Sequence, residues 1–232
     1  MAQDKVVEQW GVDRLFFTEA GRGGPLNWRL GSDRLEGDAL GPTRHAHDDA
    51  AEYYFLFNGS AHIEVSGTEF VLQQGELLYI PPDAPHNFLA PASDEHVCLF
   101  CVVGPNFANN KWRIEDFRPG SESLSHSVAR VFSDEILPAG GTLSAEGLVM
   151  SRDDAQLEAT PSGCESLYLV VDGTLDVALH GGLGGTIERG TYLHVREGVS
   201  HTLSTRDSCK VLRMDCAFAM WAGVALPVGA ER

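Results

Sequence analysis

The apolar residues of this chain come in runs too short for free-standing helices, and a turn signal cuts off each run. Tyr53-Tyr54-Phe55-Leu56-Phe57 ends at Asn58-Gly59, a strong hairpin dipeptide. His62-Ile63-Glu64-Val65 alternates, Gly67 reverses the chain, and Phe70-Val71-Leu72 resumes it. Gly75-Glu76 turns again before Leu77-Leu78-Tyr79-Ile80. Pro81-Pro82 then stops that run, because proline cannot donate to a ladder. Short strands with evenly spaced turns predict an all-β barrel or sandwich over residues 36–103.

The pattern returns downstream. Leu167-Tyr168-Leu169-Val170-Val171-Asp172-Gly173-Thr174 echoes Tyr53 to Ser60, and Leu175 to Leu179 echoes Ala61 to Val65. Gly190 stands as far before His201 as Gly75 stands before His86. An internal repeat of this kind predicts a second barrel over residues 143–232. Residues 104–142 read as a linker punctuated by Gly104-Pro105, Pro119-Gly120 and Gly140-Gly141, with a short helix expected between Ser125 and Leu137. Residues 1–35 read as an amino-terminal extension, with a loop at Gly21-Arg22-Gly23-Gly24-Pro25, that covers a barrel end or reaches a partner subunit.

Chemistry concentrates around His45-Ala46-His47. Residues two apart on a strand face the same way, so both imidazoles can enter one cavity. Glu52 follows on the next strand, and a closed barrel brings His86 across from the strand after Pro81. A bare His-x-His carries little weight, since the same segment could open a helix with Asp48 and Asp49 as surface charges. The ordered set decides the reading: His-x-His, a Glu five places on, Gly59 seven further, then Gly75, Pro81 and His86. Three imidazoles and one carboxylate suit a divalent transition metal: Fe(II), Mn, Co, Ni, Cu or Zn. Four protein ligands on an octahedral ion leave two positions open for a small-molecule substrate or dioxygen.

Tyr54 and Leu56 share the strand parity of Glu52, and Phe88 shares that of His86. These three are predicted to line an apolar substrate cavity, or equally to be plain barrel core. Tyr53, Phe55 and Phe57 point the other way. Three aromatics do not sit cheaply in water, so they are expected to pack on the second barrel or on a second subunit of a homodimer.

In the repeat, Ala159 falls opposite His45, Pro161 opposite His47 and Ser166 opposite Glu52. Only His201 keeps a ligand-type residue. Glu165 is one place off, which turns it to the other face. The second barrel is therefore expected to be metal-free and structural, with a second small-molecule pocket as the lesser alternative. His62 is expected to face solvent. His96, His126, His180 and His194 have no partner at ligand spacing and read as surface or loop residues.

The formal net charge of −16 disfavours nucleic acid and anionic membranes as partners. No signal-peptide pattern opens the chain, and no apolar run is long enough to cross a bilayer. Five cysteines, an odd and modest number, suit a reducing, cytoplasmic setting better than a disulfide scaffold. Cys98 and Cys101 lie three apart in a strand-like run, where they would face opposite ways as buried thiols.

Thr43 to Gly59 and Gly75 to His86 resemble the two sequence motifs of the cupin superfamily. The resemblance is strong over residues 40–103 and weak over 143–216. Ala39 stands where the first motif has its leading glycine, with Gly41 nearby. Asp83 replaces a usual glycine of the second motif, and Ala90 stands where asparagine is frequent. None of these departures touches His45, His47, Glu52 or His86. The resemblance implies a double-stranded β-helix barrel, here duplicated into a bicupin. It further implies a quercetinase-like, metal-dependent dioxygenase with Fe(II) favoured, acting on a small enol or aromatic substrate. Glu52 would loosen from the metal to serve as general base. Cupins also include isomerases, lyases, decarboxylases and hydrolases in which the metal is only a Lewis acid, as well as non-catalytic binders.

Overall fold

The structure is a computed structural model that describes residues 7–9, 27–33, 44–47, 51–91, 97–104, 112–114, 127–137, 139–140, 143–154, 156–179, 184–195 and 197–217. The described residues are all-β, with no helix among them. The first part of the chain supplies β1 (Val7–Gln9), β2 (Asn27–Asp33), β3 (His45–His47), β4 (Ala51–Asn58), β5 (Ser60–Val65) and β6 (Thr68–Gln73). It continues with β7 (Glu76–Ile80), β8 (His86–Pro91), β9 (Val97–Gly104), β10 (Trp112–Ile114) and β11 (Ser127–Arg130). The second part supplies β12 (Leu143–Ser151), β13 (Leu157–Ala159), β14 (Cys164–Leu179), β15 (Gly184–Glu188), β16 (Thr191–Val195), β17 (His201–Ser204) and β18 (Ser208–Ala217).

In the first part, one sheet runs β10-β3-β8-β5-β6 and a second runs β11-β7-β4-β9-β2. They close over a jelly-roll core. Tyr54, Leu56, Leu78 and Ile80 come from one sheet, and Ala61, Ile63, Val65 and Leu72 from the other. The β5–β6 hairpin turns through Ser66 and Gly67, both at positive φ. This is the backbone of a tight two-residue turn matched to strand twist.

In the second part, β14 runs straight through the position where β4 and β5 are separate strands. Its first half pairs with β16 and β18 and its second half with β15 and β17. The register slips between Val170 and Asp172, as it does between Leu56 and Asn58 on β4. Gly173 sits at that bend with φ +77, and a Cβ there would lie 2.1 Å from the Ser208 carbonyl oxygen. Only glycine meets both conditions.

The strand parity predicted for β4 holds. Tyr53, Phe55 and Phe57 turn away from the jelly-roll interior and join Leu77 and Tyr79 in a core shared with Leu167, Leu169, Tyr192, Leu212 and Met214. The Arg189 guanidinium lies 4.5 Å over the Phe57 ring. The aromatic face is thus covered from within the chain, and the argument that it calls for a second subunit falls away.

Two sequence expectations need correction. The span 104–142 is more than a connection. It furnishes β10, which pairs with β3, and β11, which pairs with β7. Nor is there a helix among the described residues 127–137 of the span where one was expected, for Ser127 to Arg130 lie extended on the edge of β7. A helix this short is marginal alone, whereas an open strand edge offers a full set of backbone partners. The turn that follows is fastened by side chains: the Arg130 amide donates to Glu135 (2.7 Å) and the Ser133 hydroxyl to the Arg130 carbonyl (2.9 Å). From the 1–35 span, β2 pairs with β9, and β1 reaches the second part to pair with β16.

Candidate metal centre

The four residues singled out by spacing converge. His45 and His47 lie on β3, and His86 on β8 is paired directly with His45. Glu52 reaches in from β4, in the facing sheet. All four are buried, and one ligand atom from each lies within 4.8 Å of the others. The His45 and His86 rings are 4.2 Å apart and those of His45 and His47 5.1 Å, close for groups that repel when protonated.

The tautomer of His86 is fixed by its surroundings. Its Nδ1 donates to the Ala84 carbonyl at 2.9 Å, so in the neutral ring Nε2 carries a lone pair. That nitrogen faces Glu52 Oε2 at 2.7 Å, and His47 Nε2 lies 3.1 Å from the same oxygen. A lone pair at that distance from a carboxylate calls for a positive charge, either a proton or a cation. Burial by itself would raise the Glu52 carboxyl. The charges of His86 and His47 and their hydrogen bonds outweigh it and hold the group well below its ordinary value. Burial likewise opposes charge on His86, but the facing Glu52 carboxylate reverses this and raises the ring. A deprotonated carboxylate among three imidazoles, with the His86 ring locked by its hydrogen bond to Ala84, is a donor set that fits a divalent transition metal.

Two backbone contacts aim this site. The Asp83 amide donates to the His47 carbonyl at 2.8 Å, tying the loop before β8 to β3. Asp83 takes φ 63 to do so, a left-handed conformation usually left to glycine. On the interior side, Tyr54 meets His86 edge-on at 5.8 Å between centroids. Leu56 is fully buried, and Phe88 is half-buried against the same core.

The second part reproduces the frame without the donors. Ala159 pairs with His201 as His45 pairs with His86. The Gly198 amide donates to the Pro161 carbonyl at 2.9 Å, as Asp83 does to His47. His201 Nδ1 donates to the Val199 carbonyl at 3.1 Å, and its Nε2 accepts the Tyr168 hydroxyl at 2.9 Å. The lone pair that a metal would use is therefore taken. Ser166 donates to Asp215 at 2.6 Å, and Asp215 is clasped by Arg213 through Nε and Nη2.

Glu165 faces the other way, as its parity requires, but His194 is no loose surface residue. It lies partly buried on β16, with Nε2 3.0 Å from Glu165 Oε2. The i to i+2 pattern of β14 and β16 could have placed both on one face, although their pairing depends on sheet register. His62 is half-buried on the outer side of β5. His96, His126 and His180, and the side chains of Cys98 and Cys101, lie outside the described residues.

With this geometry in hand, the comparison with known families is decisive for one segment: the cupin domain family matches residues 33–103. The chain carries a cupin domain. That domain contains all four buried residues of the candidate centre. Solved structures extend the likeness in fold to most of the chain. Ylba from E. coli is 14% identical with a TM-score of 0.62, covering 84% of this chain and 78% of its own. A variant of salicylate 1,2-dioxygenase from Pseudoaminobacter salicylatoxidans is 16% identical with a TM-score of 0.58, over 83% of this chain and 71% of its own. A variant of the oxalate decarboxylase of B. subtilis is 14% identical with a TM-score of 0.56, over 86% and 72%. At such identities the likeness is one of fold. No curated protein matches in sequence.

Proposed function

We propose that this chain is a two-barrel cupin enzyme in which the first barrel binds one divalent metal through His45, His47, Glu52 and His86. The second barrel, in this reading, binds none. The observation that carries the proposal is the buried quartet itself, with the His86 lone pair 2.7 Å from a carboxylate. Burying such a set without a cation is costly, whereas a metal turns the same contacts into coordination. The two-barrel reading draws support from the recurring strand pairings and from fold likeness reaching well beyond residues 33–103.

The reaction we favour is dioxygenation of a small enol or aromatic substrate, with Fe(II) as the metal. Salicylate 1,2-dioxygenase, one structure complexed with gentisate, shares the fold, and this supports an aromatic substrate class. A bound metal held by these four residues would supply Lewis acidity and redox capacity. The residues around it would do the rest. Tyr54, Leu56 and Phe88 line the apolar side on which the substrate lies. Glu52, whose carboxyl is held well below its ordinary value, would be the residue that takes the substrate's enolic proton. The hydrogen bond from His86 to Ala84 holds its ring in the binding tautomer throughout.

Metal analysis of anaerobically purified protein, followed by an oxygen-electrode screen of enols, catechols and gentisate-like acids, tests the proposal. One equivalent of metal with substrate-dependent oxygen uptake supports it. Absence of metal uptake refutes the centre. Metal-dependent turnover without oxygen refutes the dioxygenase and leaves a Lewis-acid enzyme.

A further inference from the structure

The second barrel serves as an internal reference for the first. Tyr54 follows Glu52 by two residues, and Tyr168 follows Ser166 by two. The two tyrosines occupy one register, paired with Leu78 and Leu193. Each presents its ring edge-on to the matching histidine: 5.8 Å and 81° for Tyr54 and His86, 5.2 Å and 69° for Tyr168 and His201. Both histidines donate from Nδ1 to the carbonyl two residues earlier, so both Nε2 atoms point into the same part of their barrels. In the second barrel the Tyr168 hydroxyl reaches that spot and donates to His201 Nε2 at 2.9 Å. In the first, Glu52 Oε2 stands there at 2.7 Å.

We infer that the Tyr54 hydroxyl lies beside the cation position and donates a hydrogen bond to an anionic oxygen carried on the cation: an enolate, phenolate or carboxylate of the substrate. This rests on the metal reading above. It adds a positioning role for a residue that parity alone marks only as apolar wall. A phenol is a neutral donor at working pH, so it favours an oxyanion over a neutral nitrogen ligand. The ligand class is thereby narrowed to molecules that present a deprotonated oxygen to the metal.

The test uses the full chain loaded with Co(II), whose visible spectrum reports ligand exchange, with acetohydroxamate as oxyanion probe and imidazole as neutral probe. Tyr54→Phe is expected to weaken acetohydroxamate binding about tenfold or more, the worth of one hydrogen bond to a charged group. Cobalt content, melting temperature and imidazole affinity should stay as in the wild type. Tyr168→Phe should leave the acetohydroxamate affinity unchanged. Equal affinity in Tyr54→Phe and wild type overturns the inference, and so does an equal loss for both probes. Failure of the wild type to take up cobalt instead sinks the metal reading. If Tyr54→Phe folds poorly, a ring-fluorinated tyrosine at position 54, a stronger donor of the same shape, should tighten acetohydroxamate binding; no change would overturn the inference.

Discussion

In the proposed metal centre, loading and stripping a divalent ion should expose how the buried quartet is balanced. A ligand held at a thousand times its dissociation constant adds about 4 kcal/mol to the folded state. For a chain of this size that raises the melting temperature by about 8–16 °C. The increment depends on pH in a direction that the site sets. Glu52 raises the pKa of metal-free His86 above the ordinary 6.5, so this pair's contribution is fully present below that pH and fades as pH climbs through the raised value. Glu52 is depressed, so its share is present above the ordinary 4.5 and is lost only as acid reaches the lowered value. A metal must displace the His86 proton, so its affinity grows as pH rises. Melting curves of loaded and chelator-treated protein should therefore lie closer together at pH 6 than at pH 8. His86→Ala should erase the gap at both. Identical melting of loaded and stripped protein, or an undiminished gap in His86→Ala, would refute the reasoning.

Three further outcomes follow from the packing. Gly173→Ala forces a Cβ against the Ser208 carbonyl at a left-handed backbone and should destabilise by more than the roughly 1–2 kcal/mol of the backbone penalty alone. Gly185→Ala, with nothing within 4 Å of the added carbon, should be nearly silent in the same denaturant titration. Phe55→Ala opens the core shared by the two parts of the chain; it should cost about 3–5 kcal/mol and lower one common melting transition by about 6–20 °C. A calorimetric trace that splits in two would show that the two parts unfold independently. His201→Ala should leave metal content unchanged while costing about 1–3 kcal/mol, because the Tyr168 hydroxyl and Val199 carbonyl lose their partner.

What the sequence disclosed depended on how local each feature is. His45 and His47 share a strand, Glu52 opens the next one, and the Gly75–Pro81–His86 spacing sets the third arm. Strand periodicity put His45 and His47 on one face, and the ordered spacing of Glu52, Gly59, Gly75, Pro81 and His86 supplied the rest. The parity of Tyr53, Phe55 and Phe57 was legible for the same reason. By contrast, β10 and β11 are three and four residues long, and their partners lie far back in the chain. Nothing within Ser127 to Arg130 signals a strand; the open edge of β7 does. The reach of β1 to β16 was hidden likewise, since a three-residue strand has no period of its own. Tyr168 carried no signal in the sequence beyond its place in the repeat, and only the structure shows its hydroxyl occupying the His201 lone pair.

The second part of the chain differs from the first on the strand paired with Ser166 and Tyr168 as well as in its missing donors. Ser166 is paired with Asp215 and Tyr168 with Arg213, whereas the matching partners of Glu52 and Tyr54 are Val103 and Cys101. Arg213 and Asp215 thus form a charged couple beside Ser166 and Tyr168, and Ser166 and Arg213 both bond the Asp215 carboxylate. A second carboxylate at position 166 would meet Asp215 at hydrogen-bond distance, a like-charge contact in a poorly solvated place. Returning the ligands alone, as Ala159→His, Pro161→His and Ser166→Glu together, should therefore leave the protein with a single metal equivalent. Adding Asp215→Val and Arg213→Cys should raise it to two, measured by metal analysis after loading and desalting. A second equivalent in the three-substitution variant would show that the Arg213–Asp215 pair does nothing to keep metal out.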